Sequence, residues 1–423
     1  MDVQMISRRG FMATAATAAV AGLAGCGAVK DTVDSVSGGS QPAVRDNTGS
    51  AESPSEPTEQ PETQPEAQPE VSAAERVLAR MTLEQKVAQL FIVTPEQLTG
   101  AAQATIAGPM TRDALARIPV GGLCYFAQNI VGDWQLRDLL AGTRELARSV
   151  GAGVAPFLTV DEEGGPLVAR VANSGCFNVR TFPNMSEIGA SGDAARAAEV
   201  GSVIGSYLHD IGFNVDFAPD ADVLTNPANT VIGPRSFGSD PDLVAAMVAA
   251  EVQAMLKTGT LPCLKHFPGH GDTAGDSHTG AVYAPRSRAD IEAVELKPFV
   301  AGIDAGCPLV MVGHIETPNF AADGLPASLS TVMMTDVLRG QLGFTGAIVS
   351  DSFAMGAITQ NYAPADAAVR YFQAGGDILL MPANLQASYD GVLAAVRDGR
   401  LTEERIDESV LRVLAAKEAA GLL

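Results

Sequence analysis

Eight short apolar runs punctuate the chain: LFIV (90–93), GGLCYF (121–126), PFLTVD (156–161), FNVDFAPD (213–220), LPCLKHF (261–267), LVMVGH (309–314), AIVSDS (347–352) and ILLMPA (378–383). Runs this short that do not alternate with polar residues read as strands buried on both faces, as in a parallel sheet covered by helices. Between them lie helix-like stretches such as DAARAAEVGSVIGSYLHDIG and DLVAAMVAAEVQAMLKTG. Their apolar residues recur at helical spacing and their glycines stand where helices stop. Eight strand–helix pairs in about one domain's length predict a (β/α)8 barrel without a second α/β domain; a doubly wound open sheet is the alternative.

A barrel makes a claim about function, because sites in this fold gather at the C-terminal ends of the strands. Polar residues cluster there: Asp161 ends the third run, Asp216 and Asp220 the fourth, Lys265 and His266 the fifth, His314 the sixth and Asp351 the seventh. Charges that were merely solvated loop residues would be spread over both strand ends. A single cleft is the expectation.

The N-terminus has a different character. Ser7-Arg8-Arg9-Gly10-Phe11-Met12 is a twin-arginine pattern, and the apolar run Ala13 to Ala24 behind it is too short to span a bilayer. Leu23-Ala24-Gly25-Cys26 has the form of a lipobox, which predicts cleavage and lipidation at Cys26, an exported chain and a lipid anchor at the extracytoplasmic face. Residues 27–72, rich in Ser, Pro, Gln and Glu, lack the apolar surface to offset ordering entropy and read as a disordered spacer. Order is expected from Ala73 to residue 423, with Thr82 and Gln85 forming a capping box. The net charge of −21, with no basic stripe, excludes nucleic acid as a partner. Membrane contact is expected through the lipid anchor alone. Cys124, Cys176, Cys263 and Cys307 match no metal spacing, and the apolar setting of Cys124 and Cys263 favours buried free thiols.

The densest chemistry lies in KHFPGHGDTAGDSHTG (265–280), which holds three of the chain's five histidines. Zinc is one reading, but a Pro-Gly turn separates His266 from His270, so they do not share a helical face; neither a metal nor a cofactor is expected. A structural turn is another reading and suits His270. Asp276 and His278 suit acid/base work: alternate residues of an extended loop point the same way, and a carboxylate holds an imidazole in one tautomer. An imidazole exchanges protons near neutrality without the burial a carboxylic acid would need.

Through this stretch, DEEGG (161–165), NPANTVIGPRSFGSDP (226–241) and VSDSFAMGAI (349–358), residues 75–420 resemble family 3 glycoside hydrolases of the β-N-acetylglucosaminidase branch. The resemblance implies a retaining mechanism with Asp351 as nucleophile and His278, oriented by Asp276, as acid/base, on a loop that closes over the cleft. It implies Asp161, Arg235, Lys265 and His266 as sugar ligands and amino-sugar glycans or peptidoglycan fragments as substrates. A salt bridge from Arg235 to Asp216, Asp220 or Asp222 is the structural alternative for that residue. One departure stands out: Arg170 falls one residue further from DEEGG than the family pattern places its arginine, which leaves it outside the expected ligand set. Two other functions fit the same residues. A histidine acid/base would admit phosphate as acceptor, making a phosphorylase, and a non-catalytic surface glycan-binding barrel would keep the cleft without turnover.

Overall fold

The computed structural model describes residues 71–423. The export signal, Cys26 and residues 27–70 of the expected spacer lie outside the described residues. Ser72 caps the first helix, Ala73–Leu78, where order was expected to begin. Thr82 and Gln85 form the reciprocal box, with Thr82 Oγ1 accepting from the Gln85 amide at 3.3 Å and Gln85 Oε1 from the Thr82 amide at 3.1 Å. Among the described residues, no helix is long and apolar enough to cross a membrane.

All eight apolar runs contain strands: β1 Phe91–Val93, β2 Gly122–Cys124, β3 Phe157–Val160, β4 Val215–Asp216, β5 Leu261–Phe267, β6 Leu309–Val312, β7 Ala347–Ser350 and β8 Leu379–Leu380. They form one parallel sheet in the order β7-β6-β5-β4-β3-β2-β1-β8. A parallel bridge between Val349 and Ile378, with the Ser350 amide donating to the Ile378 carbonyl at 2.9 Å, joins β7 to β8 and closes the barrel. Closure removes the sheet's free edges, which an open doubly wound sheet would have kept.

The two stretches read as helical form Ala194–Ile211 before β4 and Pro241–Leu256 before β5. The strands bind their helix layer through buried rings: Phe91, Phe157 and Phe267 are fully buried, and Phe91 meets Phe372 and Tyr389 of the helices Pro364–Gln373 and Leu385–Arg397 edge-on at 6.1 and 6.5 Å; each such side chain contributes about 1.5–3 kcal/mol relative to exposure. The ring of Phe267 meets Phe299 of the helix Leu296–Asp304 edge-on at 5.3 Å, tying β5 to its outer layer. The last helix, Glu403–Ala419, returns to the opposite end of the barrel, where Lys417 Nζ donates to Gln89 Oε1 at 2.7 Å and lies 5.1 Å from the Phe157 ring centroid. Cys124, Cys263 and Cys307 are buried free thiols, and Cys176 is a half-buried one.

Candidate active site

A cleft of about 200 Å³ opens at the C-terminal ends of the strands. Asp161, Arg235, Lys265, His266, His278 and Asp351 all line it, and Asp276 stands directly behind His278. Asp216, Asp220 and His314 do not line it, although all three were grouped with the strand-end residues. Asp216 is buried and accepts the Glu162 amide at 2.9 Å. His314 is buried between Ser328 Oγ, 2.7 Å from Nδ1, and the Ser352 carbonyl, 2.9 Å from Nε2. It therefore braces the turn after Asp351.

Lys265 and His266 are neighbours on β5, yet both line the cleft. The register of β5 on β6 shifts between Leu264 and Phe267, and such a bulge re-aims side chains that would otherwise alternate. Lys265 Nζ, almost wholly buried, lies 2.8 Å from Asp161 Oδ1 and 2.6 Å from Glu163 Oε1. Arg235 grips the same Glu163 with both arms of its guanidinium, at 2.7 Å each. Its partner is thus Glu163 rather than Asp216 or Asp222, and Asp220 Oδ2 is more distant at 3.6 Å. Burial opposes the Glu163 charge, but the two cations outweigh it and hold this carboxyl well below its ordinary range. Burial likewise opposes the Lys265 charge, and Asp161 with Glu163 keeps the ammonium protonated well above its usual value. Glu163 was missed in the sequence, where DEEGG drew attention to Asp161 alone.

Behind this network, Asp222 accepts the His266 Nδ1 proton across 2.8 Å and takes the backbone amides of His266 and His270 at 3.3 and 2.6 Å. Burial raises the Asp222 carboxyl, but the His266 imidazole and these bonds bring it down to about 2. Burial and the neighbouring Asp222 push Asp220 up to about 8. Ligand atoms of Asp220, Asp222 and His266 lie within 4.8 Å of one another, a spacing that would suit a metal. Asp222 already spends both oxygens on protein donors, and Arg235 supplies positive charge beside Asp220, so the donor set is a poor cation cage. His270 is held by Thr273 Oγ1 at 2.7 Å, in keeping with a structural role. The turn it sits on packs tightly: a Cβ on Gly271 would fall 1.9 Å from the Val223 carbonyl oxygen, so only glycine fits.

Asp351 follows β7 and is partly open to the cleft. Burial works against its charge, but His266, His314 and the Ser352 amide, 2.7 Å from Oδ1, hold it below the usual aspartate value. An ionised carboxylate is what nucleophilic attack needs. Opposite it, His278 Nδ1 lies 2.8 Å from Asp276 Oδ1, and the same oxygen accepts the His278 amide at 2.9 Å. The pair is brought together by a turn, with the Thr279 amide bonded to the Asp276 carbonyl at 2.9 Å, and not by the alternation of an extended loop. The His278 side chain is 68% exposed and that of Asp276 42%. Arg170 also reaches the cleft, its guanidinium 5.6 Å over the Phe126 ring. Arg170 directly follows the second strand of the hairpin Glu162–Gly164 with Val168–Ala169, whose register shifts between Glu162 and Gly164.

The glycosyl hydrolase family 3 N-terminal domain matches residues 82–416, nearly the whole barrel. The chain belongs to glycosyl hydrolase family 3. This family 3 chain is 34% identical over 333 residues to beta-hexosaminidase A of Pseudoalteromonas piscicida, an alignment covering 73% of the chain and 55% of that protein. It is 35% identical over 325 residues to beta-hexosaminidase LpqI of Mycobacterium tuberculosis, covering 72% of the chain and 82% of the relative. Among solved structures, a family 3 β-N-acetylglucosaminidase from Paenibacillus sp. str. FPU-7 superposes with a TM-score of 0.75 at 36% identity, over 81% of this chain and 63% of that one. The family 3 barrel here therefore spans little more than half the length of the Pseudoalteromonas protein.

Proposed function

We propose that the chain is a retaining β-N-acetylhexosaminidase that removes terminal β-linked N-acetylglucosamine from exported glycans such as peptidoglycan fragments. The observation that carries this reading is one cleft lined by an ionised Asp351 and by a His278 held at Nδ1 by Asp276. The names of the β-hexosaminidase relatives support the amino-sugar class.

In the first step Asp351 bonds to the anomeric carbon, and the glycosidic C–O bond breaks as protonated His278 gives its proton to the leaving oxygen. In the second, neutral His278 takes a proton from water, whose oxygen bonds to the anomeric carbon and frees Asp351. Asp276 fixes the tautomer that leaves Nε2 for this traffic. Asp161, Lys265, His266 and Arg235 would receive the sugar hydroxyls, with Arg170 on the rim. Lys265 bridged to Asp161 and Glu163, Arg235 to Glu163 and His266 to Asp222 are set in place before the sugar arrives.

The twin-arginine run and the Leu23–Cys26 motif support anchoring of this activity at the extracytoplasmic membrane face. One fractionation experiment tests both parts. Turnover of an aryl β-N-acetylglucosaminide should sediment with membranes, become soluble in Cys26→Ala, and fall at least a thousandfold in Asp351→Ala. Full turnover in Asp351→Ala would refute the mechanism, and unchanged sedimentation of Cys26→Ala would refute the anchor.

A further inference from the structure

The loop that presents His278 leaves the barrel at His270 and rejoins ordered pairing at Val282, which lies beside Ile315 in a small parallel ladder. Between Ser277 and Gly280 its links to other segments converge on one place. The Gly356 amide donates to the His278 carbonyl at 3.1 Å, the Ala357 amide to the Ser277 carbonyl at 3.2 Å, and Gln360 Nε2 to the Thr279 carbonyl at 2.9 Å. The fit is close: a Cβ on Gly356 would fall 2.8 Å from the His278 oxygen and 2.9 Å from Gln360 Nε2. Thr279 itself is exposed, so apolar burial does little to hold this tip.

These three donors stand five to nine residues beyond Asp351. From Asp351 the chain makes a short turn, with the Met355 amide bonded to the Ser352 carbonyl at 3.1 Å, and enters the helix Gly356–Thr359. The segment that carries the carboxylate is therefore the one that grips the loop bearing the imidazole. We propose that Gln360 is a positioning residue: with the Gly356 and Ala357 amides it latches the Ser277–Thr279 backbone and so sets His278 in register with Asp351. The proposal rests on His278 being the acid/base. Two of the three donors are backbone groups that survive substitution, so Gln360 is the part of the latch that a side-chain change removes.

A net hydrogen bond corresponds to roughly a fivefold to tenfold change in an equilibrium constant. Removing the Gln360 donor should shift the tip toward detached arrangements by about that factor. Only steps that need the His278 proton would feel the shift. Cleavage of an alkyl or sugar aglycone requires protonation of a poor leaving group, whereas dinitrophenolate departs without it.

The test compares kcat/KM, which reports glycosylation, for an alkyl and a 2,4-dinitrophenyl β-N-acetylglucosaminide. Gln360→Met should lose about fivefold to tenfold on the alkyl substrate, stay within twofold on the dinitrophenyl one, and keep the wild-type Tm. Gln360→Lys, which restores a donor, should recover most of the loss. Equal losses on both substrates, or none on the alkyl one, would overturn the latch. His278→Ala, run alongside, separates the two ideas. If it shows the leaving-group selectivity and Gln360→Met does not, the latch alone fails; if it shows none, the acid/base assignment fails and the latch with it.

Discussion

At the scale of single residues, the site is organised by sharing. One carboxylate, Glu163, serves two buried cations, and another, Asp222, serves one imidazole and two backbone amides. His266 in turn helps hold Asp351 ionised, although burial opposes that charge. A depressed Asp351 pKa means activity is lost only when pH falls below the range of an ordinary aspartate. His266→Asn removes a positive neighbour, so the acid limb of kcat/KM should move to higher pH; a pH–rate profile with an unmoved acid limb would contradict the electrostatic account. Much of this was legible in the chain: Asp161, Lys265, His266, Asp276, His278 and Asp351 all meet around the cleft. Glu163 and Asp222 were not, because their importance comes from partners distant in sequence. A clue was present, since Lys265 and Arg235 together need more negative charge than Asp161 supplies.

At the scale of elements, the eight strands were legible because an apolar run buried on both faces has few other destinations. What ends a strand was harder to read. The register shift of β5 at Lys265 and His266, and the hairpin Glu162–Gly164 with Val168–Ala169 that Arg170 follows, depend on pairing across strands, which local sequence does not encode. The last helix offers a test on the far side of the barrel. Lys417 is fully buried against Phe157, and burial pulls its ammonium down to about 7. The folded state thus holds fewer protons than the unfolded chain between about pH 7 and the ordinary lysine range. Its contribution is favourable above that range and is lost as pH falls through 7, a swing on the order of 4 kcal/mol. Lys417→Met should flatten this part of the urea-unfolding profile between pH 7 and 10 and leave the protein at least as stable at pH 7. The buried thiols slope the other way above about pH 9 in both proteins, so the difference between the two profiles isolates Lys417, and a difference that does not change across that window would refute it.

For the whole molecule, the barrel brings segments more than two hundred residues apart onto one rim, from Phe126 after β2 to Met381 after β8. Closure was predicted from the count of strand–helix pairs, and the contact between the Asp351 segment and the His278 loop is its functional result: two strand-end loops of a closed barrel are held against each other. In the proposed mechanism Asp351 takes the covalent role. The most direct measurement is mass spectrometry of the protein after reaction with a fluorinated N-acetylglucosaminyl fluoride, which forms the glycosyl-enzyme faster than water can resolve it. The account predicts a single adduct on the peptide containing Asp351, absent in Asp351→Ala. An adduct on Asp161 or another carboxylate, or catalytic turnover with no covalent species at all, would contradict it.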